Sequence, residues 1–328
     1  MLTPPVLANQ GVIENAFFTQ LFLDGAYMQE KGVKKFAVLV GNDINNVNPG
    51  NSWSDLLAKL TKHLSISVEF PQDKPFPLAY EEICFKAIKN GAHTENDIKK
   101  FVAKHVENIK PSFIHKAIID LNVDDIITTN YDLSLELAMT TNINRLTNSG
   151  FIAERKYNIF RNHKIDSKRF WHIHGSANTH LSITLGYEHY SGYLQQMRNY
   201  VVSGTKDTYK KKSFLPLTKL FKENKIENHS WIDLFFTKDI HILGLSLGFN
   251  ETDLWWLLTF REKSKYTNCL DIKNQIYYYI PEEKMSESKS KIDMLKAVGV
   301  SIVPVNGNSI SKGDYYRNVI NTIVQQYP

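Results

Sequence analysis

The hydrophobic pattern alternates between short runs of apolar residues and longer amphipathic stretches. Strands are predicted at residues 36–40, 125–132, 170–174, 241–246, 275–280 and 300–305. Several of these runs are continuously apolar, which is typical of strands that are covered on both faces by helices. Strands that alternate with helices predict an α/β fold, with a Rossmann-like, mainly parallel sheet and helices on both faces.

Helix signals separate these strands. Ser52 with Asp55 three residues later predicts a capped helix start before Leu56, Leu57 and Leu60. A cap is also predicted at residues 250–253. Further helices are predicted at residues 16–22, 78–90, 94–109, 112–121, 133–139, 291–298 and 315–324.

The order of elements predicts a single domain over residues 1–328. Its Rossmann-like core comprises about residues 36–70, 122–180 and 238–310, and the segments at about 71–121 and 186–236 are predicted as helical insertions.

Composition excludes several classes of protein. With 42% hydrophobic residues among 328, the chain can bury a large core. The formal net charge is only +5, the single tight basic run is at residues 210–212, and no nucleic-acid-binding motif accompanies it, so direct nucleic-acid binding is not expected. No apolar run approaches the roughly 18 to 20 residues that a membrane span needs.

The two cysteines, Cys84 and Cys269, are far apart and form no zinc-binding or disulfide pattern. We therefore expect no metal and a reducing compartment. Because no basic region precedes an apolar core at the N-terminus, the expected location is the cytoplasm.

Polar and small residues cluster where four predicted strands end, and in an open α/β sheet ligands bind outside the carboxyl ends of the strands. Each cluster also has a simpler interpretation: a helix cap, an ordinary strand-to-helix turn, or a hydrogen-bonded histidine at a strand end. The candidates are Gly41, Asn42, Asp43, Thr129, Asn130, Asp132, His174, Gly175, Gly244, Ser246 and Asn250.

Taken together and in this order, the clusters resemble those of the sirtuin-like (silent information regulator) family. The resemblance covers roughly residues 36–306 and rests on Thr-Thr-Asn-Tyr-Asp at 128–132, His-Gly at 174–175, Gly-Leu-Ser at 244–246 and the glycine at position 41. It implies that Asn130 orients a water or ribose hydroxyl, that His174 is the general base, and that Asp132 holds the ribose or stabilises its developing positive charge.

The resemblance also implies an NAD site. Gly41 and Asn42 would approach the diphosphate, Ser246 would contact phosphate or ribose, and Thr129, Gly175, Gly244 and Asn250 would complete the site. Asp43 departs from the family's Gly-Ala-Gly loop, and beside a diphosphate its charge is unfavourable unless the side chain turns away.

The four-cysteine zinc module of the family's protein deacylases is missing, and helical insertions take its place. This resembles the bacterial anti-phage branch of the family, and it implies an NAD+ glycohydrolase that acts as a toxic effector. Such a protein would form a homo-oligomer and be restrained in trans by a helicase-like ATPase or a sensor protein. The alternatives are a non-catalytic sensor of NAD or an ADP-ribose-type nucleotide, an abortive-infection protein of related fold, and a deacylase.

Overall fold

The computed structural model describes residues 36–70, 74–91, 93–142, 146–150, 156–206 and 213–327. The helix predicted at 16–22 and the basic run at 210–212 lie outside these ranges.

The described residues form one eight-stranded sheet, and this confirms the predicted fold class. The strand order is β3-β4-β5-β2-β1-β6-β7-β8, and the six strands from β5 to β8 in this order are parallel neighbours. β3 and β4 extend the β5 edge in antiparallel fashion. The strands are β1 (Phe36–Val40), β2 (Asp125–Thr128), β3 (Thr147–Ser149), β4 (Asn162–Ile165), β5 (Lys168–His172), β6 (Asp239–Leu243), β7 (Ile276–Pro281) and β8 (Val300–Val305).

Helices connect and cover the strands. They are α1 (Trp53–His63), α2 (Phe76–Lys89), α3 (Glu95–Val106), α4 (Phe113–Asp120), α5 (Ser134–Met139), α6 (Tyr187–Arg198), α7 (Leu217–Lys222), α8 (Trp231–Thr237), α9 (Thr252–Thr267), α10 (Lys289–Ala297) and α11 (Lys312–Gln325). The first segment after β1 is a 3-10 helix, Asn42–Val47.

Alternation along β1 divides the core between the two faces of the sheet. Ala37 and Leu39 pack with α6, α8 and α9, whereas Val38 and Val40 pack with α4 and α11. A third cluster joins α1, α2 and α3 into a separate helical layer. Both faces of the central strand are thus buried, as its continuous apolar run predicts.

Local capping signals confirm several helix starts. Ser52 and Asp55 form a capping box at α1. The cap predicted at residues 250–253 was wrong: Glu251 is the N-cap residue of α9, and no side chain caps the helix there. Asp253 does not cap the helix because its carboxylate is paired with His174, which lies two residues after β5.

A buried carboxylate ties three strands together at their amino ends. Asp125 on β2 accepts hydrogen bonds from Arg169 and Trp171 of β5, and its Oδ2 lies 2.7 Å from Nζ of Lys238, directly before β6. Asp125 is fully buried, so these partners compensate the cost of removing its charge from water. This cluster fixes the register of the strands whose opposite ends carry the candidate residues.

Candidate active site

The candidate residues follow the carboxyl ends of β1, β2, β5 and β6, and seven of the eleven line one cleft there, whereas Gly41, Asn130, Asp132 and Gly175 do not. β1 lies between β2 and β6, so the connections on its two sides lead in opposite directions across the sheet. This is the topological switch point at which ligands bind in doubly wound folds.

A cleft of about 440 Å³ opens at this point, and we call it the histidine cleft. Its walls come from the strand ends, from α1 and the segment before α2, and from the start of α9. The lining residues are Asn42, Asp43, Asn46, Ser52, Trp53, Lys74, Pro75, Phe76, Thr129, His174, Tyr190, Gly244, Leu245, Ser246, Asn250 and Glu251.

Asn130 follows β2 and is only 2% exposed. Its Nδ2 donates to the Gly41 carbonyl over a long 3.4 Å, and its Oδ1 is buried without a hydrogen-bond partner in the described residues. The adjacent Thr129 lines the histidine cleft. A buried amide oxygen without a partner is uncommon, and it marks Asn130 as a group available to a ligand or water.

Asp132 makes a different set of contacts from those its predicted role requires. Its Oδ1 accepts from the Ser134 backbone at 3.0 Å and its Oδ2 accepts from Asn45 Nδ2 at 2.8 Å. It does not line the histidine cleft but a much smaller cavity beside Trp53 and Tyr131. In this arrangement Asp132 accepts a hydrogen bond from the first backbone amide of α5, which agrees with the helix-cap interpretation. The ligand-binding role of Asp132 stays a prediction.

His174 lines the histidine cleft and is paired with a carboxylate. Its Nε2 lies 2.7 Å from Oδ2 of Asp253, which is fully buried in the first turn of α9. Burial lowers the pKa of the imidazole, but Asp253 and, more weakly, Glu251 raise it by more, so the net shift is upward. The Tyr190 ring packs edge-on at 5.0 Å. The pairing fixes Nε2 as the donor when His174 is neutral and leaves Nδ1 as its basic atom.

Glu251 is a second ionisable group on the cleft wall. Its Oε2 is buried and accepts no hydrogen bond within the described residues. Burial raises the pKa of Glu251 to about 7, against the opposing pull of His174. The cleft wall therefore contains two ionisable groups, His174 and Glu251, whose pKa values are both raised.

Gly41 ends β1 where the chain passes very close to the loop after β6. A Cβ at this position would lie 2.3 Å from the Gly244 carbonyl oxygen. The Gly41 amide donates to Leu243 O and the Asp43 amide to Gly244 O. Gly41 is needed for this close approach, and its own amide is used within the protein.

Asp43 points to the C-terminal helix. Its carboxylate oxygens lie 2.7 Å from Lys312 Nζ and 2.6 Å from the Tyr316 hydroxyl, both on α11. The ammonium group offsets a charge that would otherwise repel a diphosphate. Asp43 nevertheless lines the cleft that contains His174, so its paired carboxylate lies at the wall of the candidate NAD site.

A second cleft, of about 490 Å³, lies beside the first at the ends of β6, β7 and β8, and we call it the tyrosine cleft. Asp43, Gly244, Leu245 and Ser246 line both clefts. Tyr278, Tyr279, Tyr315 and Tyr316 line the second one, together with Glu283, Lys284, Lys291 and Lys312.

Gly175 faces away from both clefts. Its φ of +93° is in the left-handed region that favours glycine, and a Cβ would lie 2.3 Å from the Ser182 carbonyl oxygen. It lines a small cavity with Arg161 and Tyr193 instead. The structure thus gives Gly175 a clear conformational role in the turn that follows His174.

One buried group has the chemistry of a metal-ligand set. Glu136, His163 and His172 place their ligand atoms within 4.8 Å of one another. Glu136 Oε1 lies 2.7 Å from His163 Nδ1 and 2.8 Å from His172 Nε2, and His172 Nδ1 faces the Asn130 carbonyl. A cation could bind only if His163 and His172 both gave up the protons that they donate to Glu136. As described, the three side chains form a hydrogen-bonded cluster in which Glu136 Oε2 has no partner among the described residues, and His172 supports the backbone at Asn130.

Sequence patterns did not identify several residues of the site. A strand was predicted over residues 170–174, but β5 ends at His172, and the rings of His172 and His174 bind separate carboxylates, Glu136 and Asp253. Asp253 was interpreted only as a capping residue. An acidic residue soon after the Gly-Leu-Ser strand end was the available signal, and it is equally typical of a helix start.

The comparisons with known proteins bear on the segment that contains Asn130 and His174. A family model described as SIR2-like domain matches residues 124–229. No curated protein matches the chain significantly. Within the described residues, no helix is long and apolar enough to cross a membrane.

Proposed function

Residues 124–229 form a SIR2-like domain, consistent with membership of the sirtuin-like family, and on this premise we propose that the protein is an NAD+ glycohydrolase. It would cleave NAD+ to nicotinamide and ADP-ribose. SIR2-like domains use NAD as a substrate. Two observations carry the proposal: the buried Asn130 oxygen has no partner among the described residues, and His174 is held by a carboxylate, each just after a strand that ends at this crevice.

The two clefts suit a dinucleotide. Gly244 and Ser246 line both clefts. Each cleft has the volume of a small-molecule site, a few hundred cubic ångströms or more. The tyrosine cleft, with aromatic walls and lysines, suits the adenosine and phosphate groups. The histidine cleft suits the nicotinamide ribose because it holds the acid–base groups.

The chemistry needs a base and a stabilised sugar cation. Asn130 Oδ1 would accept a hydrogen bond from the attacking water, and Nδ1 of His174 would take that water's proton. The water oxygen bonds to the ribose carbon as the carbon–nitrogen bond breaks, and the bonding electron pair leaves with nicotinamide, which becomes neutral. Asp132 would stabilise the positive charge that develops on the ribose, which is the role predicted for it from the family resemblance.

We further propose that this activity serves as a toxic effector in bacterial anti-phage defence. An enzyme that depletes NAD+ needs restraint, so we expect a homo-oligomer and control in trans by a helicase-like ATPase or a sensor protein. Small displacements of the paired histidine and carboxylate side chains could hold such an enzyme inactive, because misplacing a catalytic group by about 1 Å can reduce the rate on the order of a hundredfold.

The test is to incubate the purified chain with NAD+, alone and with candidate partners, and to quantify nicotinamide and ADP-ribose. Equal amounts of the two products, in excess over enzyme, support hydrolysis. If neither product appears under any condition, the proposal that the protein hydrolyses NAD+ is overturned.

A second candidate function is a non-catalytic sensor of NAD or an ADP-ribose-type nucleotide. The departure of Gly41-Asn42-Asp43 from the Gly-Ala-Gly loop of the family favours it, because Asp43 places a carboxylate in that loop. Saturable NAD+ binding by calorimetry without turnover would support the sensor.

A further inference from the structure

Glu251 has no role in the chemistry above, although it lines the histidine cleft beside His174. It is the N-cap residue of α9, yet its side chain makes no capping hydrogen bond. Its Oε2 is buried and accepts no hydrogen bond from any described residue. A buried carboxyl oxygen without a partner destabilises the folded protein, so a side chain kept in this state at a cleft wall points to a ligand.

We propose that Glu251 is a substrate-contacting residue, whose unpaired carboxyl oxygen accepts a hydrogen bond from a hydroxyl of the ribose next to His174. This inference rests on the proposed function. The ligand group is a sugar hydroxyl for two reasons. The missing partner of Glu251 Oε2 is a hydrogen-bond donor, and the proposed function places the nicotinamide ribose in this cleft, next to His174.

The surroundings of Glu251 favour a neutral donor over a cationic ligand. The charged and titratable groups that face it are His174, Asp253, Lys291, Tyr131, Tyr190 and Tyr278. His174 and Lys291 already supply positive charge, and a Gly248 backbone hydrogen bond favours the ionised form. A sugar hydroxyl completes the hydrogen bonding without adding a third cation.

This role predicts opposite effects on stability and on substrate use. Glu251→Gln removes a carboxylate whose ionised form is disfavoured by burial, so the free energy of unfolding should stay equal to wild type or rise. Its kcat/KM for NAD+ should fall on the order of tenfold, and that of Glu251→Ala on the order of a hundredfold, as expected when a hydrogen bond to a charged acceptor is lost. A purely structural role would lower stability together with activity.

The experiment measures urea denaturation, NAD+ kinetics and calorimetric binding of ADP-ribose for wild type, Glu251→Gln and Glu251→Ala. Glu107→Gln, an exposed carboxylate at the end of α3, is the matched control. The inference is supported if both Glu251 variants remain stable and lose kcat/KM and ADP-ribose affinity while the control keeps both.

Other outcomes separate the two claims. If wild type cleaves NAD+ and the Glu251 variants do so equally well, the role of Glu251 is overturned and the proposed function stands. If wild type binds ADP-ribose without turnover, hydrolysis fails, and the change in affinity of the variants still decides whether Glu251 contacts the sugar. If wild type neither cleaves NAD+ nor binds ADP-ribose, both claims are overturned.

Discussion

The pairing of His174 with Asp253 makes a quantitative prediction about stability and pH. The two side chains are 2.7 Å apart and almost fully buried, so in the protonated form of His174 the contact is a charge-assisted hydrogen bond. Such bonds contribute about 1.5–3 kcal/mol, against about 1 kcal/mol for a neutral pair. Asp253→Asn keeps the shape and an acceptor oxygen, and should therefore cost about 1–2 kcal/mol where His174 is charged.

The sign of the pH dependence follows from the direction of the pKa shift. The pKa of His174 is higher in the folded protein than its ordinary value of 6.5, so the protonated form stabilises the fold. This stabilisation is fully present below about pH 6.5 and is lost as the pH rises through the folded-state pKa. The cost of Asp253→Asn should thus be largest in acid and shrink in alkali.

The assay is urea denaturation of wild type and Asp253→Asn at about pH 5.5 and about pH 9, on either side of the histidine titration. Asp271→Asn is the control, because Asp271 is 77% exposed and its pair with Lys273 is exposed as well. An equal cost at both pH values, or none at either, would refute the reasoning.

Three further substitutions test the frame of the site. Asp125→Ala leaves the buried Lys238 and the partly exposed Arg169 without their carboxylate and should lower the free energy of unfolding by about 3 kcal/mol in urea denaturation; a loss below about 1 kcal/mol would contradict this. Gly41→Ala places a methyl group 2.3 Å from the Gly244 carbonyl and should cost about 1–3 kcal/mol and weaken calorimetric NAD+ binding, whereas an unchanged melting temperature would argue against the close approach. Lys312→Ala leaves the Asp43 charge unpaired and should weaken NAD+ binding by up to about fivefold, with recovery when Asp43→Asn is added; no recovery would count against charge repulsion.

Local patterns predicted the parts of the fold that depend on local physics. β1 and β8 have the predicted bounds, because each is a short run dominated by apolar residues that is set off from its neighbours in the sequence. β3 was not predicted, since Thr147–Ser149 is short, polar and mostly exposed, and its pairing with β4 gives no hydrophobic signal.

The site could be located from sequence, but its pairings could not. Strand ends showed where polar groups gather, whereas Asp253 is 79 positions from His174 and Lys312 is 269 positions from Asp43. Contacts over such separations depend on the assembled sheet, and periodicity carries no information about them. For the same reason the choice between a helix cap and a ligand contact for Asp132 was left open by the sequence, and the conformational role of Gly175 emerged only from the structure.

The most direct test of the central claim is the rate of nicotinamide release from NAD+ by wild type, Asn130→Ala and His174→Ala, each first shown to be folded by its urea transition. The account predicts release by wild type and a fall on the order of a hundredfold or more in each variant, the usual contribution of a positioned acid–base group. Release that survives both substitutions would contradict the assignment of the chemistry to this crevice.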